Sequence, residues 1–200
     1  MFDVLVIGGG PAGASAALLL SRAGRKVALI EKAAFPRRKV CGEYIAPPAA
    51  TFLRSLGYPL EERVCRIAVW AGSRVLQAPL PAPYAGTLAR EDLDSYLLEK
   101  AIEAGTVVFQ PLKASSLART AMGFTCESIE ARTVIAAHGS WEPGALPTQA
   151  RRAAPQASDL LAFKAHFRNA DFSADTIAIS PFPGGYGGAG RSISPKRCRL

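Results

Sequence analysis

Cysteine and histidine are scarce in this chain, with four cysteines and two histidines among 200 residues. Cys41, Cys65, Cys126 and Cys198 form no C-x-x-C pair and have no paired histidine spacing, so neither a metal site nor a disulfide framework is expected. The start of the chain lacks the basic segment of a secretory leader, since Asp3 stands there. A long uninterrupted apolar helix is missing too. The stretch between Asp3 and Arg22 is uncharged, but "GGGPAG" at its centre would break any membrane-spanning helix. A cytoplasmic location without a membrane span is the resulting expectation. Nucleic acid is excluded as a partner despite the net charge of +8 and a pI near 9.6. Arg191, Lys196, Arg197 and Arg199 lie in the last ten residues, which hold no acid, so the first 190 carry only +4. No helix there carries a regular basic stripe, and no RNA-binding signature occurs. With 49% hydrophobic and 20% charged residues, the chain can bury a core.

What is present is concentrated near the N-terminus. "FDVLVIG" is a short β-branched and apolar run, as in a parallel strand buried on both faces. It leads into Gly8, Gly10 and Gly13, spaced G-x-G-x-x-G, and "ASAALLLSRAG" then reads as a small-residue helix. "KVALIEK" is a second buried strand ending at Glu31, eighteen residues after Gly13. Gly8 allows the tight turn, Gly10 a close approach by a pyrophosphate, and Gly13 close packing of helix on strand. The helix N-terminus offers N–H groups to phosphates, and Glu31 can accept hydrogen bonds from the ribose hydroxyls of an adenosine. Strand, glycine turn, helix, second strand and acid together predict a dinucleotide site. The acid disfavours a 2′-phosphate and therefore NADP at this position.

The N-terminal motif and three further segments carry a family resemblance. "DVLVIGGGPAGASAA", "FPRRKVCGEYI", "LAREDLDSYLLEKAIEAG" and "ARTVIAAHGSW" resemble, in this order, the geranylgeranyl-reductase-like flavoproteins. That group belongs with the para-hydroxybenzoate-hydroxylase type monooxygenases and the flavin-dependent halogenases. The resemblance implies FAD as the cofactor and an α/β fold, a Rossmann-like FAD-binding domain with a parallel sheet plus the start of an antiparallel substrate domain. It implies a cofactor set of Gly8, Gly10, Pro11, Ala12, Gly13, Glu31, Lys32, Arg38, Cys41, Gly42, Arg90, Ala137 and Gly139. Cys41 and Gly42 would lie close to the isoalloxazine ring. Arg90 matches the arginine of an R-x-x-x-D element that reaches FAD, and Asp94 its supporting aspartate. His138 stands where the family has an aspartate and reads as a turn residue. "PFPGGYGG" resembles the segment approaching flavin and substrate, with Tyr186 at the tyrosine and Gly188 where an aromatic is common.

The implied domains are residues 1–150 for FAD, with a substrate-layer insertion around 64–88, and residues 156–200 for an incomplete substrate domain ending in an irregular basic tail. "CRIAVW" and "RVLQ" read as an inserted hairpin, "TVVFQ", "GFTCES" and "IEARTVI" as short antiparallel strands, and Pro143–Pro155 as a linker. "DLLAFKAHFRNADF" and "DTIAIS" read as the first strands of the second domain. No Gly-Asp pair occurs, so the family's second flavin motif is not found, and truncation is the expectation. The halogenase pattern W-x-W-x-I-P is absent, Trp70 and Trp141 being far apart. The expected activity is an FAD-dependent reduction of a C=C bond in a prenyl or related hydrophobic substrate, with NAD(P)H or another electron donor. The alternatives are hydroxylation of an aromatic or polyketide ring, or a non-catalytic remnant that binds a dinucleotide weakly. No general acid or base is identifiable.

Overall fold

The computed structural model describes residues 1–60, 64–80, 85–139, 143–151, 154, 156 and 158–191. In chain order its elements begin with β1 (Phe2–Ile7), α1 (Pro11–Arg22), β2 (Val27–Ile30), β3 (Tyr44–Ile45), α2 (Pro47–Ser55), β4 (Arg66–Ala71), β5 (Arg74–Pro79) and β6 (Gly86–Thr87). They continue with α3 (Arg90–Glu103), β7 (Val107–Phe109), β8 (Ala118–Thr120), β9 (Gly123–Cys126), β10 (Ile129–Ala136), β11 (Thr176–Phe182) and β12 (Gly185–Gly190). The chain divides into two compact units. One is Met1–Arg38 with Leu93–Leu160, the other Lys39–Asp92 with Leu161–Leu200.

The first unit is built on a six-stranded sheet ordered β7-β2-β1-β10-β9-β8. Strands β7, β2, β1 and β10 run parallel, and β9 and β8 complete the sheet with antiparallel pairings. Leu5, Ile7, Ala28 and Ile30 share a core with Cys126, Ile129, Ala131 and Leu146. The alternate residues Val4, Val6, Val27 and Leu29 are buried as well. Helix α1 packs on β1 and β2 and buries Ala14, Ala17 and Leu18. Because a strand alternates its side chains, burial of both sets explains why β1 and β2 read as continuous apolar runs. Each fully buried Leu or Val here contributes roughly 2 kcal/mol. Thr106 ties the helix down, exchanging a 2.8 Å hydrogen bond with Ser21.

In the second unit a four-stranded sheet is ordered β12-β11-β4-β5. Its two hairpins, β4–β5 and β11–β12, are antiparallel, and β11 joins β4 in parallel. A separate two-stranded ladder pairs β3 with β6. The "CRIAVW"/"RVLQ" hairpin thus forms as expected.

Two sequence expectations are corrected. "TVVFQ" forms β7, which pairs with β2 in parallel instead of antiparallel. The chain enters β7 from helix α3, and a helical crossover of this kind returns a strand parallel to the one it pairs with. "DLLAFKAHFRNADF" forms no strand, although its period-2 alternation is real. Lys164 and His166, two residues apart, turn to the carboxylate of Glu43, while Phe163 and Phe167 are 90% and 83% exposed. Trp141, Cys198, the residues beyond Arg191 and residues 81–84 lie outside the described residues, as do parts of the Pro143–Pro155 stretch.

Candidate functional site

One row of the parallel sheet gathers the dinucleotide-site residues of the first unit. Ile7 is in register with Ile30 of β2 and with Ala136 of β10, so the three strands end level. The next residues along the chain are Gly8, Glu31 and Ala137. Their N–H groups continue the ladder, to Ile30 O at 2.8 Å, Phe109 O at 3.0 Å and Ile7 O at 2.8 Å. From β1 the chain passes through α1 to β2 on one side, while β10 lies on the other. The strand order therefore reverses between β1 and β10, and open α/β sheets bind ligands outside the strand ends at such a switch point.

Two glycines are required by this row itself. Gly8 has φ +109°, and a Cβ there would stand 2.4 Å from Ala137 O. A Cβ on Gly13 would stand 1.8 Å from Gly8 O, so α1 sits as close to the turn as backbone allows. Helix α1 starts at Pro11 with Gly10 as its N-cap, without a side-chain cap and without an acid in the first turn. Ala14 is the first to bond back, to Gly10 O at 2.9 Å, so the N–H groups of Ala12 and Gly13 precede the helical ladder. Uncapped amides at the positive end of a twelve-residue helix suit an anion such as a pyrophosphate.

Glu31 is buried at 2% exposure. Its Oε2 accepts the Gly9 N–H at 2.7 Å, and its Oε1 accepts the Ala33 N–H at 2.9 Å and Arg37 Nη1 at 2.8 Å. The acid is thus joined directly to the glycine turn. Lys32 and Arg38 are exposed, and Gly139 takes φ +95° in the turn after β10. His138 bonds Gly139 O and Thr148, both at 3.1 Å, in keeping with a turn role.

The second unit holds Cys41, Gly42, Arg90 and Tyr186. Cys41 is half-buried, and a Cβ on Gly42 would meet nothing within 4 Å. The packing of the chain therefore gives no reason for glycine at 42. Tyr186 is 74% exposed on β12, and Arg90 starts α3. Asp94, four residues on, is fully buried and faces Arg37 Nε at 3.7 Å.

Two groups were missed by sequence reasoning. Arg37, not Arg38, is the member of the Arg37-Arg38-Lys39 run whose guanidinium reaches Glu31, with 14% of its side chain exposed. Phe35 under its guanidinium at 4.7 Å is the signal available in the sequence, as a stacking partner two residues away. Glu43 is buried with φ +57°, a left-handed conformation that strains a non-glycine residue. It accepts hydrogen bonds from Lys164 Nζ, from His166 Nε2 at 3.3 Å and from the Arg90 N–H at 3.2 Å. Burial pushes the Glu43 carboxyl up, but the hydrogen bond and charge of Lys164, aided by Arg90 N–H and His166, leave it below its ordinary value. Nothing in the order of residues foretells this cluster, because its side-chain partners Lys164 and His166 lie more than 120 positions away.

Residues 1–173 match the family model described as FAD binding domain. The chain belongs to that family. Within the FAD binding domain family it is 35% identical over 120 residues to a menaquinone reductase of Mycobacterium tuberculosis, covering 56% of this chain and 29% of that protein. It is 37% identical over 108 residues to a geranylgeranyl diphosphate reductase of Rhodobacter capsulatus, covering 52% and 26%. A flavin-dependent halogenase of Armillaria mellea and a tryptophan 2-halogenase of Chondromyces crocatus match at 33% and 35% identity. The chain spans under a third of the length of these curated relatives. Among solved structures, a geranylgeranyl bacteriochlorophyll reductase-like protein of Thermoplasma acidophilum superposes with a TM-score of 0.68 at 20% identity, covering 96% of this chain and 54% of that one. This last likeness establishes the shared fold. FAD is the cofactor of this domain family, and no helix among the described residues is long and apolar enough to cross a membrane.

Proposed function

We propose that the row of Gly8, Glu31 and Ala137 is the FAD adenosine-pyrophosphate site, and that the protein is an FAD-dependent oxidoreductase reducing a C=C bond in a prenyl or related hydrophobic substrate. The observation that carries this is the level ending of β1, β2 and β10, which sets an uncapped helix N-terminus beside a buried carboxylate. Gly10, Pro11, Ala12 and Gly13 would receive the pyrophosphate, and Glu31 the ribose. Ala137 and Gly139 would border the adenosine, with Lys32, Arg38 and Arg90 as cationic contacts. Cys41 and Gly42 would meet the ring, consistent with the open space at Gly42. Tyr186 would face the substrate. When bound, the flavin supplies the redox chemistry, and these residues bind and orient it.

The reductase reading draws support from the two reductase relatives and from the C-G-E sequence at Cys41–Glu43. NAD(P)H is the proposed electron donor, and residues 1–150 and 156–200 are the proposed FAD and substrate domains. A second reading, oxygen-dependent modification of an aromatic ring, is favoured by the halogenase matches. Anaerobic NADPH oxidation driven by a polyprenyl substrate supports the first reading. Turnover that requires O₂ and an aromatic substrate supports the second. Gly10→Val is expected to abolish FAD uptake, because its side chain would occupy the pyrophosphate position; full flavin occupancy in that variant would overturn the site.

A further inference from the structure

The Glu31 carboxylate is more heavily engaged than its role at a ribose requires. A carboxylate offers about four acceptor positions. Ala33 N–H and Arg37 take both on Oε1, and Gly9 N–H takes one on Oε2. One position remains, on Oε2. Arg37 is no mobile surface side chain, being 14% exposed and stacked on Phe35. Its guanidinium lies between two buried carboxylates, Glu31 at 2.8 Å and Asp94 at 3.7 Å. Arg37 Nε is buried without a hydrogen-bond partner, so the fork is drawn to Glu31 while Asp94 balances its charge from α3. A lysine could not span both acids, since only a planar fork presents donors in two directions.

Resting on the FAD-site reading above, we propose that Arg37 is the positioning residue of Glu31, anchored by Asp94, and that Glu31 consequently recognises a single ribose hydroxyl through Oε2. The ribose contact is thereby tied to α3 by two ion pairs and to the glycine turn by the Gly9 N–H.

The test has one readout without cofactor and one with it. In the FAD-free chain, amide hydrogen exchange of Gly9 and Ala33 is followed in the wild type, Arg37→Met and Asp94→Asn. Arg37→Met should speed exchange at Gly9 by about tenfold or more while the Leu5 amide in β1 stays protected, with a smaller effect for Asp94→Asn. Unchanged Gly9 protection would overturn the positioning role. In the second readout, wild-type affinity for FAD is compared with that for analogues lacking the adenosine 2′- or 3′-hydroxyl. Deleting one hydroxyl should weaken binding about tenfold and deleting the other should change it little. Equal losses for both would overturn single-hydroxyl recognition. In Arg37→Met the discriminating ratio should fall towards one, whereas a merely structural defect would weaken all ligands equally and leave the ratio intact. Should Arg37→Met fail to fold, Arg37→Lys and Asp94→Asn carry the same readouts. A wild type that binds neither FAD nor its analogues would sink the FAD reading, and the amide exchange would still decide the role of Arg37.

Discussion

The two units bury their strands very differently. In the first, every residue of β2 and the last four of β1 are buried, and the row that ends them is held by backbone contacts closer than any side chain could replace. In the second, all residues of β5 and β12 are exposed, Leu76 at 73% among them. The second unit has buried residues of its own, among them Leu53, Leu56, Val64 and Leu88, and adds a polar hub in which Glu43 gathers Lys164, His166 and the Arg90 N–H. The parallel strands β1 and β2 are thus buried on both faces, while the second sheet leaves its outer strands β5 and β12 to solvent and its unit carries a charged hub that pH can reach.

Substitutions can break or sharpen this contrast. Gly13→Ala should have the largest effect, a loss of about 3 kcal/mol or more, because the Cβ meets backbone at 1.8 Å and cannot be relieved by a rotamer. Thermal unfolding near wild-type temperature would contradict the packing described. Leu5→Ala should cost about 3 kcal/mol by opening a cavity in the first core, measured by urea unfolding. Leu76→Ala, its counterpart on β5, should stay within about 0.5 kcal/mol.

Glu43→Gln should cost about 2 kcal/mol at pH 6 by removing a carboxylate that holds charged partners. The sign follows from its lowered pKa. A carboxyl held below its ordinary 4.5 in the folded state stabilises the protein above that pH, and the contribution fades as pH falls through the folded value. The gap between wild type and variant should therefore narrow from pH 6 to pH 3; a constant gap would show that Glu43 acts by shape alone. The Glu127 carboxyl is lowered to about 2, because Ser115 and Ser116 donate to it through side chains and backbone. The contribution of this carboxylate is full above its ordinary 4.5 and fades as the pH falls from there through about 2. Smallest of all, Gly42→Ala should leave stability within about 0.5 kcal/mol, yet weaken FAD binding if the ring lies against it.

Much of the first unit was legible in the sequence. The apolar run of β1, the glycine spacing and the acid after β2 are local patterns, and local patterns carried through to the register row at Ile7. Legibility failed where partners are distant. The alternation at Leu161–Phe167 signals a strand, but its polar face is taken up by Glu43. Likewise "RRK" gives no hint which cation turns inward; Arg37 does so because Glu31 and Asp94 are both buried nearby.

The central claim is that the glycine turn and Glu31 hold FAD, and the visible absorption spectrum of the protein after incubation with FAD and desalting tests it most directly. A retained flavin band in the wild type that disappears in Gly10→Val is the predicted result. A wild-type protein that stays folded yet emerges colourless, or a Gly10→Val variant that remains yellow, would contradict it.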